Sequence, residues 1–272
     1  MRAAVISIAV ILGTAPAMLT QAPRKDLIER LRNPGEPTEK FPKDGGWQPL
    51  INGDDLIGWR ATDLSRPNSW TPAQLVAIDP ASPDRLQVLR YAHLRPEDFN
   101  GPIIANGPAG RAVNLQSEKE FSDVELALEF LVSRGSNSGV YLISRYEVQI
   151  RDSFGKTDFD DHDCGAIYGR MLNGKKIPGR KPALNASLAP GEWQSFHIWF
   201  RAPRFDQEGN KTANALFVRV EQNGKLIHEN VEIDGPTQSS LPGPEVPRGA
   251  LMLQGDHGPV AFRNLYIREL VD

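Results

Sequence analysis

The stretch "NALFVRVEQNGKLIHENVEI", residues 214–233, alternates apolar and polar positions on both sides of Asn223 and Gly224. Alternation with a period of two is typical of a β-strand that buries one of its faces. Asn-Gly is the strongest short-range hairpin signal, because both central residues of the tight turn need a positive φ. The stretch therefore predicts two antiparallel strands joined by a two-residue turn.

The same period recurs along the chain from Gly46 onward. In "DVELALEFLV" (123–132) one face carries Val124, Leu126, Leu128, Phe130 and Val132. In "GEWQSFHIWFRAP" (191–203) both faces are partly apolar, which indicates a central strand. The segments "GALMLQGDHG" (249–258) and "VAFRNLYIREL" (260–270) predict another pair of strands, joined by a short Gly-Pro turn. Helical periodicity is scarce and no βαβ rhythm occurs. We therefore predict an all-β protein, a jelly-roll sandwich of two antiparallel sheets.

Length and charge limit the function classes. The chain has 272 residues with 40% hydrophobic content, so we expect one large β domain over residues 46–272 with a single core. The net charge is −3 and both signs are interspersed, which gives no electrostatic footprint for nucleic acid or an anionic membrane surface. Cys164 is the single cysteine, so no internal disulfide can form, and we expect it to be a small buried hydrophobic residue.

The N-terminal residues have the composition of a targeting segment. Arg2 precedes an apolar run at 3–12 and small residues at 15–17, the order typical of a secretory signal peptide over residues 1–20. The apolar run is too short for a membrane anchor, which needs about twenty residues. Residues 21–45 combine prolines and charges and predict a linker or N-terminal arm. We expect a periplasmic or extracellular protein with no membrane partner after signal cleavage.

The stretch "SNSGVYLISRYEVQIRDS" (136–153) places a row of polar side chains on one face of a predicted strand. The row consists of Arg145, Glu147, Gln149 and Arg151. One interpretation is a solvated strand face with cross-strand ion pairs. The other is a sugar site, because Arg, Glu and Gln bind hydroxyl groups and the flanking Tyr141 and Tyr168 can stack on a sugar ring. The pattern alone leaves both open.

Two further polar segments are candidates for function. In "LQGDHG" (253–258) a strand enters a tight turn, where His257 can act as an acid, a base or an electrophile near neutral pH, unless Asp256 simply caps the turn. The loop "DFDDHDCG" (158–165) is rich in aspartate, but it lacks the central Gly and terminal Glu of an EF-hand. We expect a solvated acidic loop, with a divalent cation as the alternative and no other cofactor.

Six ordered stretches resemble the family named for 3-keto-disaccharide hydrolase activity, formerly a domain of unknown function. They are "GWQPLINGDDLIGW", "SNSGVYLISRYEVQIRDS", "CGAIYG", "GEWQSFHIWFRAPRFD", "NGKLIHENVEIDGPT" and "GALMLQGDHGPVAFRNLYIREL". The resemblance runs from about Gly46 to the end of the chain. It implies a concanavalin A-like jelly-roll sandwich in exported bacterial proteins that act on carbohydrate. Carried over by motif, it implies site roles for Arg145, Glu147, Gln149, Gln254, His257 and Arg263.

The implied substrate suggests a mechanism. A sugar oxidised at C3 has an acidic C2 proton, so a base can remove that proton and the anomeric substituent can then leave. Glu147 is the candidate base. Arg145 or His257 would stabilise the enolate, while Gln149 and Gln254 would orient hydroxyl groups. Water added afterwards gives net hydrolysis.

Direct glycoside hydrolysis is the alternative chemistry, and it needs two carboxylates separated by about 5 to 9 Å. Glu129 is the candidate second carboxylate, because it lies on a separate predicted strand with outward parity. The sequence thus predicts an exported enzyme that cleaves 3-keto-glycosides or 3-keto-disaccharides, with a small carbohydrate as its partner. A non-catalytic carbohydrate-binding module is the main alternative, and a structural or partner-binding role is the third.

Overall fold

A computed structural model describes residues 45–90 and 102–270. The predicted signal peptide, and all of the predicted arm except Gly45, lie outside the described residues. All regular structure in the described part of the chain is β, and none of it is a helix that could span a membrane.

The described residues form nineteen strands. They are β1 (Gln48–Pro49), β2 (Trp59–Ala61), β3 (Thr71–Ala73), β4 (Leu75–Asp79), β5 (Ser82–Leu89), β6 (Ile103–Ala105), β7 (Leu115–Phe121), β8 (Val124–Val132), β9 (Asn137–Leu142), β10 (Tyr146–Arg151), β11 (Arg170–Leu172), β12 (Lys175–Ile177), β13 (Gln194–Arg201), β14 (Arg204–Phe205), β15 (Lys211–Ala213), β16 (Ala215–Gln222), β17 (Lys225–Ile233), β18 (Gly249–Leu253) and β19 (Val260–Glu269).

Two antiparallel sheets contain most of these strands. The larger sheet has the order β17-β16-β13-β8-β19-β6-β3, and β1 also pairs with β19. The smaller sheet has the order β10-β9-β18-β7-β2. Three two-stranded ribbons, β4–β5, β11–β12 and β14–β15, complete the described strands. The predicted all-β jelly-roll sandwich of two antiparallel sheets is confirmed.

The core lies between the two sheets. Leu128 and Phe130 of β8 are fully buried there, together with Val140 of β9 and Val148 of β10. The ring of Phe130 lies 4.8 Å from that of Phe196 in the adjacent strand. Each such side chain contributes about 1.5 to 3 kcal/mol relative to an exposed one. Because successive side chains of a strand point to opposite faces, the polar positions of β9 and β10 point away from this core.

The predicted hairpin and the predicted central strand are both confirmed. Asn223 and Gly224 have φ values of 51° and 70°, and Gln222 pairs with Lys225 across the turn. Strand β13 pairs with β8 on one side and with β16 on the other. It is therefore an interior strand of the larger sheet, as its two partly apolar faces indicated.

The predicted pairing of the last two long strands is wrong. β18 pairs with β7 and β9 in the smaller sheet, whereas β19 pairs with β6 and β8 in the larger one. The turn between them therefore crosses from one sheet to the other. The amide of Asn106 holds this crossing by donating to the carbonyls of Gly255 (2.9 Å) and Gly258 (2.8 Å). Hydrogen bonds from the Asn106 side chain therefore hold this turn, in place of the expected backbone hydrogen bonds between β18 and β19.

The outer face of the larger sheet is sealed around β8. The ribbon β4–β5 covers it with Val76 and Leu86, which pack with Leu131, Trp193 and Ala261 in a second apolar cluster. All nine residues of β8 are consequently buried. Within the described residues no second apolar cluster of this kind lies on the outer face of the smaller sheet, although Ile167, ahead of β11, bridges to Val148 of β10 at the edge of that sheet.

Candidate active site

The floor of the recess begins with the β9–β10 hairpin. Glu147 pairs with Tyr141 and Gln149 pairs with Gly139, so their side chains share the outer face of the smaller sheet. Tyr141, Glu147 and Gln149 are only 0 to 3% exposed although they point away from the core. Loops must therefore wall this face. We call this loop-covered face the recess, and it is not a flat solvated surface.

Strand β18 completes the floor on the other side of β9. Met252 pairs with Tyr141, and the backbone N–H of Gln254 donates to the carbonyl of Gly139 at 2.9 Å. Gln254 is 7% exposed. We call Tyr141, Glu147, Gln149 and Gln254 the polar floor. Two segments that are about 100 residues apart in the chain thus contribute to one surface.

Gly139 determines where the Glu147 carboxylate lies. A Cβ atom built on Gly139 would overlap Glu147 Oε1, and its other near atoms, at 2.9 and 3.0 Å, also belong to Glu147. The carboxylate therefore lies across the backbone of the neighbouring strand. A glycine in the interior of a strand is typical of such a close approach.

Burial controls the acid–base behaviour of Glu147. Loss of solvation raises the pKa of its carboxyl to about 8, and the nearby Tyr141 hydroxyl opposes only part of this rise. The backbone is held as well, since its N–H donates to Thr237 Oγ1 at 3.1 Å and its carbonyl accepts from the N–H of Tyr168 at 3.2 Å. A carboxyl with a pKa near neutrality can both accept and return a proton at physiological pH.

The two tyrosines respond to the same charge. Burial, followed by the charge of Glu147, raises the pKa of Tyr141 well above its usual value, and Asp256 contributes in the same direction. The pKa of the half-buried Tyr168 is also raised, by burial and then by Glu147. The carboxylates of Glu147 and Asp256 therefore both lie within electrostatic range of the Tyr141 hydroxyl. This brings the turn after β18 to the polar floor.

Several buried polar atoms of the recess lack a hydrogen-bond partner of normal geometry among the described residues. They are Asn137 Oδ1, Tyr141 Oη, Gln149 Oε1 and Gln254 Oε1. Gln149 Nε2 donates to the carbonyl of His162 at 3.2 Å. Gln254 Nε2 lies 3.2 Å from His257 Nδ1, to which it can donate only when that nitrogen carries no proton. The unused atoms of these amides are thus acceptors. An unpaired buried polar group costs about 1 to 3 kcal/mol, which a ligand with hydroxyl donors would recover.

His257 lies at the rim of the recess. Its side chain is 54% exposed, and its Nδ1 lies 2.5 Å from Asp256 Oδ1. The contact with Gln254 connects the imidazole to the polar floor. Both contacts use Nδ1, which leaves Nε2 as the ring nitrogen that can face a ligand.

Arg145 is committed to a neighbouring loop. Its guanidinium donates to the carbonyls of Pro244 (3.1 Å) and Ser144 (3.3 Å), and makes a long contact with that of Pro242 (3.5 Å). In place of the expected contact with an enolate, these bonds hold the loop after β17 against the β9–β10 turn. The structure does not bring the guanidinium into the polar floor.

Glu129 and Arg263 lie in the other sheet. They pair with each other in β8 and β19, form a salt bridge, and are both 1% exposed. The guanidinium lies 4.3 Å from the ring centre of Trp193. Because Leu128 and Phe130 point into the core, Glu129 points away from the smaller sheet. The core therefore separates Glu129 from Glu147, and it does not flank a bond held at that residue.

The acidic loop forms a wall of the recess. The carbonyl of His162 accepts from Gln149 Nε2 (3.2 Å) and from Arg151 Nη1 (3.3 Å). Asp163 is buried and accepts from Lys156 Nζ at 2.7 Å. The expectation of a solvated loop therefore does not hold for Asp163, because it is anchored inside the protein.

Asp160 and Asp161 of the loop are paired with protein donors. Asp160, Asp161 and His162 present ligand atoms within 4.8 Å of one another. His162 Nδ1 lies 3.2 Å from Asp160 and 3.0 Å from Asp161, while its Nε2 lies 2.7 Å from Lys176 Nζ. The Lys176 ammonium donates to the imidazole, so this network is a hydrogen-bonded cluster that ties the β11–β12 ribbon to the recess.

Sequence reasoning did not single out three residues of the recess. Gly139 had a signal, namely a glycine in the interior of an alternating strand. Asn137 had one too, because it shares the parity of Tyr141. Thr237 had none, since its contact with Glu147 joins positions 90 residues apart.

A buried carboxyl thus lies beside unpaired amide oxygens on one face of the β-sandwich, and comparison with known proteins gives the family. The chain belongs to the family described as 3-keto-alpha-glucoside-1,2-lyase-like domains, whose profile matches residues 46–268. No curated protein sequence matches the chain.

Two crystal structures from Parabacteroides distasonis ATCC 8503, both of proposed glycosyl hydrolases, are similar to the fold. The first has a TM-score of 0.56 and 24% identity, and the match covers 83% of this chain and 84% of that chain. The second has a TM-score of 0.52 and 22% identity, and the match covers 83% of this chain and all of the other. At this identity the likeness establishes the fold alone.

Proposed function

We propose that the protein cleaves glycosides or disaccharides of 3-keto sugars by removing the C2 proton, eliminating the substituent at C1 and adding water. The observation that carries the proposal is the buried Glu147 carboxyl, with its pKa of about 8, among the unpaired acceptors of the recess. The family description supports it, because a 1,2-lyase acting on a 3-keto-glucoside breaks bonds at C1 and C2.

Glu147 is the base in this reaction. The C3 ketone makes the C2 proton acidic, because the resulting carbanion delocalises onto the ketone oxygen. A general base is most effective when its pKa lies near the working pH. The raised pKa of Glu147 meets that condition, and the backbone of Gly139 leaves room for its carboxylate.

His257 is the group that stabilises the enolate oxygen. Its Nδ1 is held by Asp256, so the protonated imidazole can donate from Nε2 to a developing negative charge. The donors of Arg145 are engaged by backbone carbonyls, which leaves His257 as the better of the two candidates. Its exposed position at the rim supports this role, because a sugar that enters the recess would pass the imidazole.

The free acceptors provide sugar recognition. Asn137, Gln149 and Gln254 each offer a buried amide oxygen, and the hydroxyl groups of a sugar ring supply the matching donors. Tyr168 stands beside Glu147 as a wall that can stack on the ring. The predicted small-molecule carbohydrate partner fits this donor and acceptor balance.

Direct hydrolysis by two carboxylates is less well supported. It needs a second carboxylate about 5 to 9 Å from the first. Glu129 lies beyond the core in the larger sheet, and the Asp256 carboxylate is engaged by the His257 imidazole at 2.5 Å. Elimination requires one carboxylate only, which agrees with the groups on the polar floor.

The test compares Glu147→Gln with the wild type on paired native and 3-keto disaccharides. We expect the wild type to turn over the 3-keto substrate only. The variant should bind that substrate but lose about 10²- to 10⁴-fold in turnover, the usual contribution of a general base. Glu118→Gln, at an exposed position in β7, is the matched control and should retain activity. Unchanged turnover in Glu147→Gln would remove the assignment, and binding without turnover by the wild type would identify a carbohydrate-binding module.

We also propose that the protein is exported. The support is the order of charged, apolar and small residues over 1–20. Expression of the full chain with and without residues 1–20, followed by fractionation, tests it. Recovery of both forms in the cytoplasm would contradict export.

A further inference from the structure

The Tyr141 hydroxyl interacts with the Glu147 carboxylate, and this contact helps to raise the pKa of the phenol. The residue is fully buried, and its oxygen makes no hydrogen bond of normal geometry to another group in the described part of the chain. Tyr146, on the same hairpin, shows the usual arrangement, since its hydroxyl donates to Glu245 Oε1 at 2.5 Å. Once Glu147 takes up a proton, its carboxyl no longer needs the Tyr141 hydroxyl as a donor, and the hydroxyl becomes available for a ligand.

The position of this hydroxyl is fixed relative to the base. Tyr141 lies directly opposite Glu147 in the β9–β10 ladder, where side chains on one face have their Cβ atoms about 4.5 to 5.5 Å apart. It also pairs with Met252 of β18, so the ring is enclosed by strands on both sides. A substrate whose C2 lies at Glu147 would therefore place its C1 substituent within reach of an adjacent donor.

We propose that the Tyr141 hydroxyl is the catalytic acid that protonates the departing glycosidic oxygen as its bond to C1 breaks. The inference rests on the elimination proposed above, and it supplies the proton donor which that reaction lacks. Arg145 holds a loop and Glu129 lies in the other sheet, so neither can fill this role.

The proton transfers balance over one cycle. Glu147 takes the C2 proton, the C1–C2 double bond forms, the C1–O bond breaks, and the leaving oxygen takes the proton of Tyr141. In the return half, water oxygen bonds to C1, its proton passes to the Tyr141 phenolate, and protonated Glu147 returns a proton to C2. Both side chains end as they began, and water is the only added reactant.

Electrostatics couples the two steps. The negative charge of Glu147 helps to keep the pKa of Tyr141 high. When Glu147 accepts the C2 proton, that charge disappears and the phenol becomes a better donor at the moment when a donor is needed. Glu147 and Tyr141 therefore do not carry a negative charge at the same time.

The test is Tyr141→Phe assayed on two 3-keto-glucosides, one with a methyl and one with a 4-nitrophenyl leaving group. We expect a loss of about 10²- to 10⁴-fold on the methyl glucoside, because an alkoxide needs a proton to leave. The loss on the nitrophenyl glucoside should be much smaller, because that anion leaves unaided. Deuterium exchange at C2 should persist in the variant, since Glu147 remains.

Tyr146→Phe is the matched control and should retain the wild-type ratio of rates on the two substrates, because its ring lies in the core. Equal losses of Tyr141→Phe on both substrates, or none, would overturn the assignment of Tyr141 while leaving the proposed reaction in place. Failure of the wild type to cleave either 3-keto-glucoside would overturn both.

Discussion

At the residue scale, the burial of the Glu147 carboxyl links the stability of the protein to its chemistry. Its pKa rises from 4.5 to about 8 because burial penalises the charged form. The groups that face it are Tyr141 on the adjacent strand, Tyr168 in the segment before β11, and the Asp256–His257 pair beyond them. No cation is bonded to it among the described residues, so the ionised form is destabilising.

This shift predicts a pH dependence of stability with a definite sign. Between pH 4.5 and about 8 the folded state holds the Glu147 proton while the unfolded state has lost it. The free energy of unfolding should therefore fall as pH rises through this window, by a few kcal/mol at about 1.4 kcal/mol per pKa unit. Urea denaturation at about pH 5 and about pH 9 measures it.

The variant Glu147→Gln should lose that part of the pH dependence and be more stable than the wild type at the higher pH. The control Glu118→Gln, exposed in β7, should keep the wild-type difference. A Glu147→Gln variant with an undiminished difference would show that this carboxyl does not titrate as the burial requires.

At the element scale, the register of β9 against β10 and β18 assembles the recess. A shift of one residue would reverse every side chain and turn the polar floor into the core. The turn is built for this register, with Ile143 and Ser144 at φ values of 45° and 55°. Ser144 Oγ donates to the carbonyl of Ala250 at 2.8 Å and fixes the hairpin to β18.

The register leads to a prediction for Gly139. The methyl group of Gly139→Ala would overlap the Glu147 carboxylate and displace it. We expect kcat/KM on a 3-keto-glucoside to fall by about 10²-fold, since a misplacement of about 1 Å has that effect. Gly235→Ala is the control, because its nearest atoms lie at 3.5 Å and its backbone is not left-handed. Full activity of Gly139→Ala would show that the carboxylate position is not critical.

At the scale of the whole molecule, the two sheets have separate roles. The larger sheet is covered on its outer side by a ribbon and contains a buried ion pair there, whereas loops cover the polar floor on the outer side of the smaller one. The turn between β18 and β19 connects the two sheets. It is anchored by Asn106 on the larger sheet and carries His257 at the recess.

This division predicts that Glu129 acts in stability and not in catalysis. Glu129→Gln leaves the charge of Arg263 buried without its partner, which costs about 3 to 5 kcal/mol of stability. The kcat/KM of the folded fraction should not change. Urea unfolding and steady-state kinetics on the same preparation measure both quantities. Lost activity with unchanged stability would place Glu129 in the reaction after all.

Local patterns predicted most of the fold. The period of two and the Asn223-Gly224 turn depend on neighbouring residues, so the sequence sufficed for the β16–β17 hairpin and the central β13. The partners of β18 and β19 depend on contacts with strands more than 100 residues away in the chain, which local pattern does not encode. Adjacency in sequence therefore suggested a pairing that the sandwich does not have.

The site was predicted in part for the same reason. Strand parity placed Glu147 and Gln149 on one face, and that holds in the structure. Strand parity also predicted that the Glu129 side chain points away from the core. A sandwich has two outer faces, however, and the pattern does not show on which of them the residue lies. The position of Arg145 depended on carbonyls about 100 residues away, beyond the reach of any local signal.

A crystal structure of Glu147→Gln soaked with a 3-keto-disaccharide tests the central claim most directly. We predict that the 3-keto ring lies on the polar floor, with its hydroxyl groups donating to the amide oxygens of Gln149 and Gln254. Its C2 should lie within about 3.5 Å of the side-chain amide introduced at position 147, the separation of a near-attack geometry. A sugar bound on the larger sheet, or bound in the recess with C2 turned away from position 147, would contradict the account.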